Sequence, residues 1–362
     1  MNDRLAPLIF MPPPTGKLWT GTSADAGTGT AVTIRRSDES VVNLPLPAFW
    51  LDPPWHRIPA VVADVVAGII ADMGVVVSAL LRDLSEESSP ASFHSAEVQV
   101  PRHRMIPYRP ERYGLLADDF DHVSVVDLRL ATTRDENGRF AYSPKQIQRW
   151  EATADDAPLA GGGWVPAATF PPDVPSLDHL NAKIDQLHAL APKAAVMVSM
   201  NPHRIAAELP LVLSQNPDGV ILRCDDVGFD GLMMAAATRF ASRAIAKSGN
   251  VIPLWIHGGD LTPSDAAKLV QLGASAVSMD SWCNQVIYRI EATLVQSSAA
   301  RLGYNVLRDI TPATINALVQ EEVQDELNEY LGLCEAAGAN GNDERLIAKD
   351  GHWAKTLGLK QV

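Results

Sequence analysis

Residues 252–279, IPLWIHGGDLTPSDAAKLVQLGASAVSM, decide the fold. The stretch opens on a short apolar run that ends at His257 and passes through Gly258-Gly259. It then starts a helix with Thr262 as N-cap, Pro263 at the first helical position and Asp265 where a capping box has its acid. A second short apolar run, Ser275 to Met279, closes it. Apolar runs of this length without period-2 alternation are what parallel strands buried on both faces look like, and a helix joining two of them is a βαβ unit.

The unit repeats upstream. Helix Ser176 to Leu190 leads to strand Ala194 to Met200, helix Arg204 to Ser214 to strand Gly219 to Cys224, and helix Gly231 to Lys247 to strand Ile252 to His257. After the quoted stretch a last helix is expected over Trp282 to Ser298. Nearer the start, PLPAFW, a helix over Ile58 to Met73 and GVVVSAL make another βαβ unit, and HVSVVDLRL (His122 to Leu130) reads as a strand before a helix at Ser143 to Trp150. Strands near Val125 and Trp150 bring the count close to eight, which predicts a (β/α)8 TIM barrel rather than an open doubly wound sheet. The Pro-, Gly- and Thr-rich residues 1–40 are expected to be an extended arm, 41–303 the barrel, and 304–362 a helical extension. In that extension Ile315, Leu318, Val319, Val323, Leu327, Tyr330 and Leu331 recur at three- and four-residue spacing, an amphipathic helix that packs on the barrel or on a partner. The acids from Glu321 to Glu329 read as its solvated face.

With 46% hydrophobic residues the chain has material for a large core, and its formal charge of -13 repels phosphate backbones and anionic lipid headgroups, so nucleic acid and membrane surfaces are not expected partners. The longest apolar stretch, Ile58 to Leu81, is interrupted by Asp64, Asp72 and Gly74 and falls short of a membrane span. MNDRLAPLIFMPPP lacks the apolar run of a secretion signal. Cys224, Cys283 and Cys334 are too far apart for a metal or redox motif, and they read as small buried hydrophobes in a reducing cytoplasm.

In such a barrel the functional groups lie where each strand ends. Here those positions hold Asn201 and His203, then Arg223, Asp225 and Asp226, then His257, Gly258, Gly259 and Asp260, and finally Asp280 and Ser281. Two glycines before a well-capped helix make a cradle for a phosphate. Each acid taken singly also reads as a helix cap. Trp50, Trp55 and His56 suit either an aromatic wall or a packed turn. Tyr108, Arg109, Arg112 and Arg129 suit a substrate carboxylate, which Arg grips bidentately, although the sequence does not place them on one face.

Four segments carry a resemblance. GGGWVPAATFPPDVPSLDHLNAKIDQLHALAPKAAVMVS, PDGVILRCDDVGFDG, VIPLWIHGGDLTPSDAAKLVQLGASAV and VQDELNEYLGLCEAAGANGNDERLI agree in order and spacing with the flavin-binding barrel domain of glutamate synthase and its smaller relatives, from about Gly161 to Ile347. PLPAFWLDPPWHRI and GVVVSAL match more weakly. The resemblance implies FMN across Gly258-Gly259 and an amine or imine of an amino acid as substrate; Gly258, Gly259, Asp260, Ser278 and Asp280 are the residues expected around the cofactor, and Asp226 and His257, from the charged strand ends, are the expected catalytic groups. Three departures stand against it. Met197 occupies the place of the family's Lys, Ser278-Met279-Asp280 replaces the Gly-x-Gly that closes the phosphate site, and the iron–sulfur cysteines and the amidotransferase domain have no counterpart. A carboxylate aimed at a phosphate would oppose its binding.

Three readings follow. The first is a flavin-dependent, glutamate-synthase-like oxidoreductase with no bound metal. The second is a flavin-free barrel using the acids Asp225, Asp226 and Asp280 with His257 for a divalent cation or for acid and base chemistry. The third is a non-catalytic subunit, joined through the C-terminal helix to copies of itself or to another chain.

Overall fold

The computed structural model describes residues 3–11, 31–79, 103–109, 115–130, 171, 173–174, 176–225, 229–301, 310–337 and 345–362, with the pairs 141–142 and 165–166. Eight parallel strands close into a barrel in sequential order. They are β1 (Ala48–Trp50), β2 (Val76–Ser78), β3 (Arg104–Tyr108), β4 (Val123–Arg129), β5 (Ala195–Met200), β6 (Gly219–Arg223), β7 (Leu254–His257) and β8 (Ala276–Ser278). Outside them lie α1 (Ala60–Asp72), α2 (Leu180–Leu190), α3 (Ile205–Leu213), α4 (Gly231–Ser248), α5 (Pro263–Gln271) and α6 (Asp280–Arg301). The predicted (β/α)8 architecture is therefore the one present.

Local chemistry explains the boundaries. The predicted capping box holds, since Thr262 Oγ1 accepts from Asp265 N at 3.1 Å while Asp265 Oδ2 accepts from Thr262 N at 3.3 Å. Asp230 caps α4 through Met233 N at 2.7 Å, and Gly249, at φ 80, ends it in the left-handed conformation that glycine adopts without strain. The eighth strand is not the one expected near Trp150, which lies outside the described residues together with the helix expected at 143–150. Arg104–Tyr108 supplies it instead, pairing with β2 on one side and β4 on the other. Its Pro107 and basic flanks mask it in the sequence, because proline ordinarily argues against a central strand.

The amino-terminal segment is more than an arm. A hairpin of Val32–Arg35 and Val41–Leu44 puts Val32, Ile34, Val42 and Leu44 into the amino-terminal end of the barrel, in one apolar cluster with Phe49 and Trp255, whose rings stack at 4.7 Å. Leu8–Phe10 pairs antiparallel with Leu346–Ala348, which also pairs with Lys360–Gln361. Between these, Leu5 and Leu8 are fully buried.

The predicted tail helix forms as α7 (Pro312–Val319), a π-helical turn at Gln320–Gln324 and α8 (Asp325–Ala337). Its face of Ile315, Val319, Val323, Leu327, Tyr330 and Cys334 is buried on its own barrel, where Tyr330 Oη donates to Pro47 O at 2.9 Å. All three cysteines are buried thiols, as expected. Among the described residues no helix is long and apolar enough to cross a membrane.

Candidate active site

Side chains two apart on a strand share a face, and three of the strands that line the lumen run from an apolar residue to a charged one. On β7 Trp255 is followed by His257, on β6 Ile221 by Arg223, and on β4 Val125 by Asp127 and Arg129. At the carboxy-terminal rim these meet Asp52 two residues past β1, Arg109 just past β3, Asp225 two past β6, and Asp280 at the start of α6.

Asp52 is the centre of the cluster. Its Oδ1 accepts from Arg109 Nη1 and Arg129 Nη2, both at 3.1 Å, and its Oδ2 from Arg223 Nη2 at 2.7 Å. His257 Nε2 lies 4.0 Å from that Oδ2. Arg129 also pairs with Asp127 at 3.0 Å, and Arg223 with Asp225 at 3.4 Å. His257 sits between two carboxylates, with Nε2 3.3 Å from Asp225 Oδ2 and Nδ1 3.3 Å from Asp280 Oδ2, while Ser278 Oγ lies 3.1 Å from Nδ1. Asp280 is held by the chain itself, accepting from Asp52 N at 2.9 Å and Leu51 N at 3.3 Å.

These contacts set the protonation states. Burial favours the neutral form of His257, but Asp225 and Asp280 overcome it and push its pKa up to about 9. At neutral pH the ring is an imidazolium, a proton donor rather than a base. Burial likewise works against charge on Asp52, and Arg129, Arg223 and Arg109 outweigh it, holding the carboxyl well below its ordinary range. Arg223 is held charged against its burial by Asp52 and Asp225. Burial pushes the Cys283 thiol well up, with Asp280 adding to the shift, so this cysteine is no nucleophile.

Of the acidic mouth expected from Asp225, Asp226, His257 and Asp280, the structure brings Asp225 and Asp280 to the two ring nitrogens of His257. Arg109, Arg129 and Arg223 stand among the acids, and Asp226 lies outside the described residues. Asp52, Asp225 and His257 do bring ligating atoms within 4.8 Å of one another. A divalent cation there would have to compete with the three arginines on Asp52, of which Arg223 also holds Asp225, and with the proton on His257. Tyr108 and Arg109 follow directly on one another at the end of β3, and Arg109 and Arg129 share Asp52, whereas Arg112 is not among the described residues. Met197 lies in the apolar lumen cluster, below the level at which Ser199 pairs with Arg129. The Trp50–Trp55 pair is a packed turn, with ring centroids 4.7 Å apart and both indole N–H groups donating, to Asn284 Oδ1 and Ser78 O.

The glycine loop divides into two halves. Gly259 takes φ 69, which favours glycine, and a Cβ on Gly258 would meet Leu261 Cδ1 at 2.7 Å, so a side chain there would have to push Leu261 aside. None of the described hydrogen bonds uses the amides of Gly258, Gly259 or Asp260, and Asp260 is exposed. This side fits an anion. The α5 N-terminus beside it is taken, because Asp265 also accepts from Arg4 N at 3.0 Å and Leu5 N at 2.8 Å, and Arg4 donates to Gly258 O and Phe229 O. On the β8 side the carboxylate of Asp280 stands on the amides of Leu51 and Asp52. That side repels a phosphate.

Sequence reasoning missed Asp52, Asp127 and Arg4. Asp52 carried a signal, since it stands as close behind its strand as Asp225 does behind β6, but the following prolines made it read as a turn.

Among solved structures the chain is similar to mandelate oxidase. It matches the crystal structure with 3,3-difluoro-2-hydroxy-3-phenylpropionic acid at 14% identity and TM-score 0.50, covering 94% of this chain and 86% of that one. The structure with (S)-2-phenylpropionate gives the same identity, coverage and TM-score. A variant with benzoyl-formic acid matches at 15% identity and TM-score 0.50, covering 93% and 86%. At this identity the likeness is one of fold. No family model and no curated protein matches the chain.

Proposed function

We propose that the chain is a flavin-dependent oxidoreductase that oxidises a small α-hydroxy acid at the mouth of its barrel. The observation that carries the reading is the convergence of Arg109, Arg129, Arg223 and the imidazolium of His257 on one point of the rim, an arrangement suited to a carboxylate. The acids bound to the mandelate oxidases of the same fold are carboxylic acids. The amine or imine of an amino acid, implied by the glutamate synthase resemblance, has no counterpart among them.

FMN would lie with its phosphate on the free amides of Gly258, Gly259 and Asp260, and when bound it supplies the acceptor for two electrons. The chain's own residues do the rest. The arginines orient the acid; the Cα–H electron pair would pass to the flavin, and the hydroxyl proton would pass to a rim carboxylate, Asp225, since His257 beside it already carries its proton.

One observation favours a second reading, a barrel without flavin. Asp280 places a charge on the β8 half of the cradle, where a phosphate would have to come close. Titrating FMN into the natural protein and into Asp280→Gly, followed by flavin fluorescence quenching, separates the two. Saturation at one FMN per chain, at least tenfold tighter in the variant, is the result expected from the flavin reading, tenfold being about 1.4 kcal/mol. No quenching by either protein overturns it. Quenching by the variant alone makes Asp280 the block and the natural chain flavin-free.

A further inference from the structure

The rim holds more donors than its own acids take up. Asp52 accepts three guanidinium hydrogen bonds, yet Arg223 Nη1 and His257 Nε2 are buried and make no hydrogen bond among the described residues. His257 is 1% exposed, and its Nε2 approaches Asp225 off the line a hydrogen bond needs. A buried donor without an acceptor costs free energy; Arg104 Nη1 and Trp255 Nε1 are also without a hydrogen bond among the described residues, but Arg223 and His257 bring two such atoms to one carboxylate, that of Asp52. Two such donors beside one carboxylate indicate a space that takes a further oxygen.

Asp52 is also the member best placed to leave. Its side chain is 16% exposed, against 0 to 11% for Asp127, Asp225, Asp280, Arg109, Arg129 and Arg223. Its backbone N–H is fixed separately, by Asp280, so the side chain turns about its own Cα–Cβ bond without moving the loop. A carboxylate rotating away leaves three guanidinium groups and an imidazolium around a vacated two-oxygen position.

We propose that Asp52 is an internal occupant of a carboxylate-binding site, and that a small monocarboxylate binds by displacing it. The geometry that holds Asp52 is the geometry that holds the ligand. The inference rests on the same carboxylate-binding rim as the reading above and adds that Asp52 fills it at rest; its test uses protein without flavin, so loss of flavin binding leaves it standing.

The experiment compares natural protein, Asp52→Asn and Asp52→Ala in sodium acetate and in sodium chloride at equal ionic strength, by thermal melting and by calorimetric titration with acetate. The expected result is acetate binding at least tenfold tighter in Asp52→Ala than in the natural protein, a saturable rise in melting temperature with acetate and not with chloride, and loss of both when Arg223→Gln is added. Should Asp52→Ala fail to fold in chloride, folding in acetate supports the proposal. Failure in both salts, with a folded Asp52→Asn that does not respond to acetate, overturns it. Equal responses to acetate and chloride, or natural protein that binds acetate as tightly as the variant, also overturn it.

Discussion

The two ends of the barrel lumen are built on the same strands and differ in almost every other respect. The amino-terminal end is dry, filled by the 32–44 hairpin, by Met105 and by Phe49 stacked on Trp255. The carboxy-terminal end, two residues further along β4, β6 and β7, is ionic, with Asp127, Arg129, Arg223 and His257 facing Asp52 and Asp280. Among the described residues the lower cluster is apolar, so its energetics are those of packing. The upper end is held by pairs that each leave a charge stranded when one partner goes. Stability belongs to the first and exchange to the second.

The sharpest way to break this division is at Trp255. Replacing it by Ala removes a fully buried ring from the lower layer and should cost about 3–5 kcal/mol in chemical denaturation. A loss below about 1 kcal/mol would mean that the lower end is not the packed core described.

A smaller effect is expected from pH, and it should come from the upper end alone. His257 is raised from the ordinary 6.5 to about 9, so its charged form adds stability that is fully present below about pH 6.5 and is lost as pH rises through about 9. The change is on the order of 3 kcal/mol. Urea unfolding of the natural protein and of His257→Gln between pH 6 and pH 10 should show their stability difference shrinking by that amount. A difference that stays constant would remove the imidazolium from the site.

Thr262, outside the lumen altogether, sets the scale of an ordinary local contact. Thr262→Ala removes the α5 cap and should cost about 1 kcal/mol, with no dependence on pH between 6 and 10. A pH-dependent loss would couple the cap to the mouth through Asp265 and Arg4.

What the sequence disclosed follows the same division. β5 to β8 were readable because a strand buried on both faces leaves an unbroken apolar run, and the caps of α4 and α5 are local chemistry. β3 was not readable, because Pro107 and the neighbouring arginines resemble a loop, and with β3 hidden Arg109 could not be set beside Arg129. Once the strands are adjacent, the two guanidinium groups fall on one carboxylate. His257 and Asp280 were identifiable as rim residues, but their meaning was not. That Asp280 turns to the amides of Leu51 and Asp52 depends on closing β8 onto β1, a contact between residues more than two hundred positions apart.

The pairing of Leu8–Phe10 with Leu346–Ala348 has a consequence for the order of assembly. A strand at residue 8 cannot find its register until residue 348 has been synthesised, so the first residues made are among the last to be locked. Entropy barely resists so distant a closure, since each doubling of a loop adds only about 0.6 kcal/mol. Asp3 to Leu5, which cover the start of α5 and the carbonyl of Gly258, are tethered to that clasp. The clasp thus brings the first and last parts of the chain to the same side of the barrel, and Arg4 reaches the carbonyl of Gly258 from it.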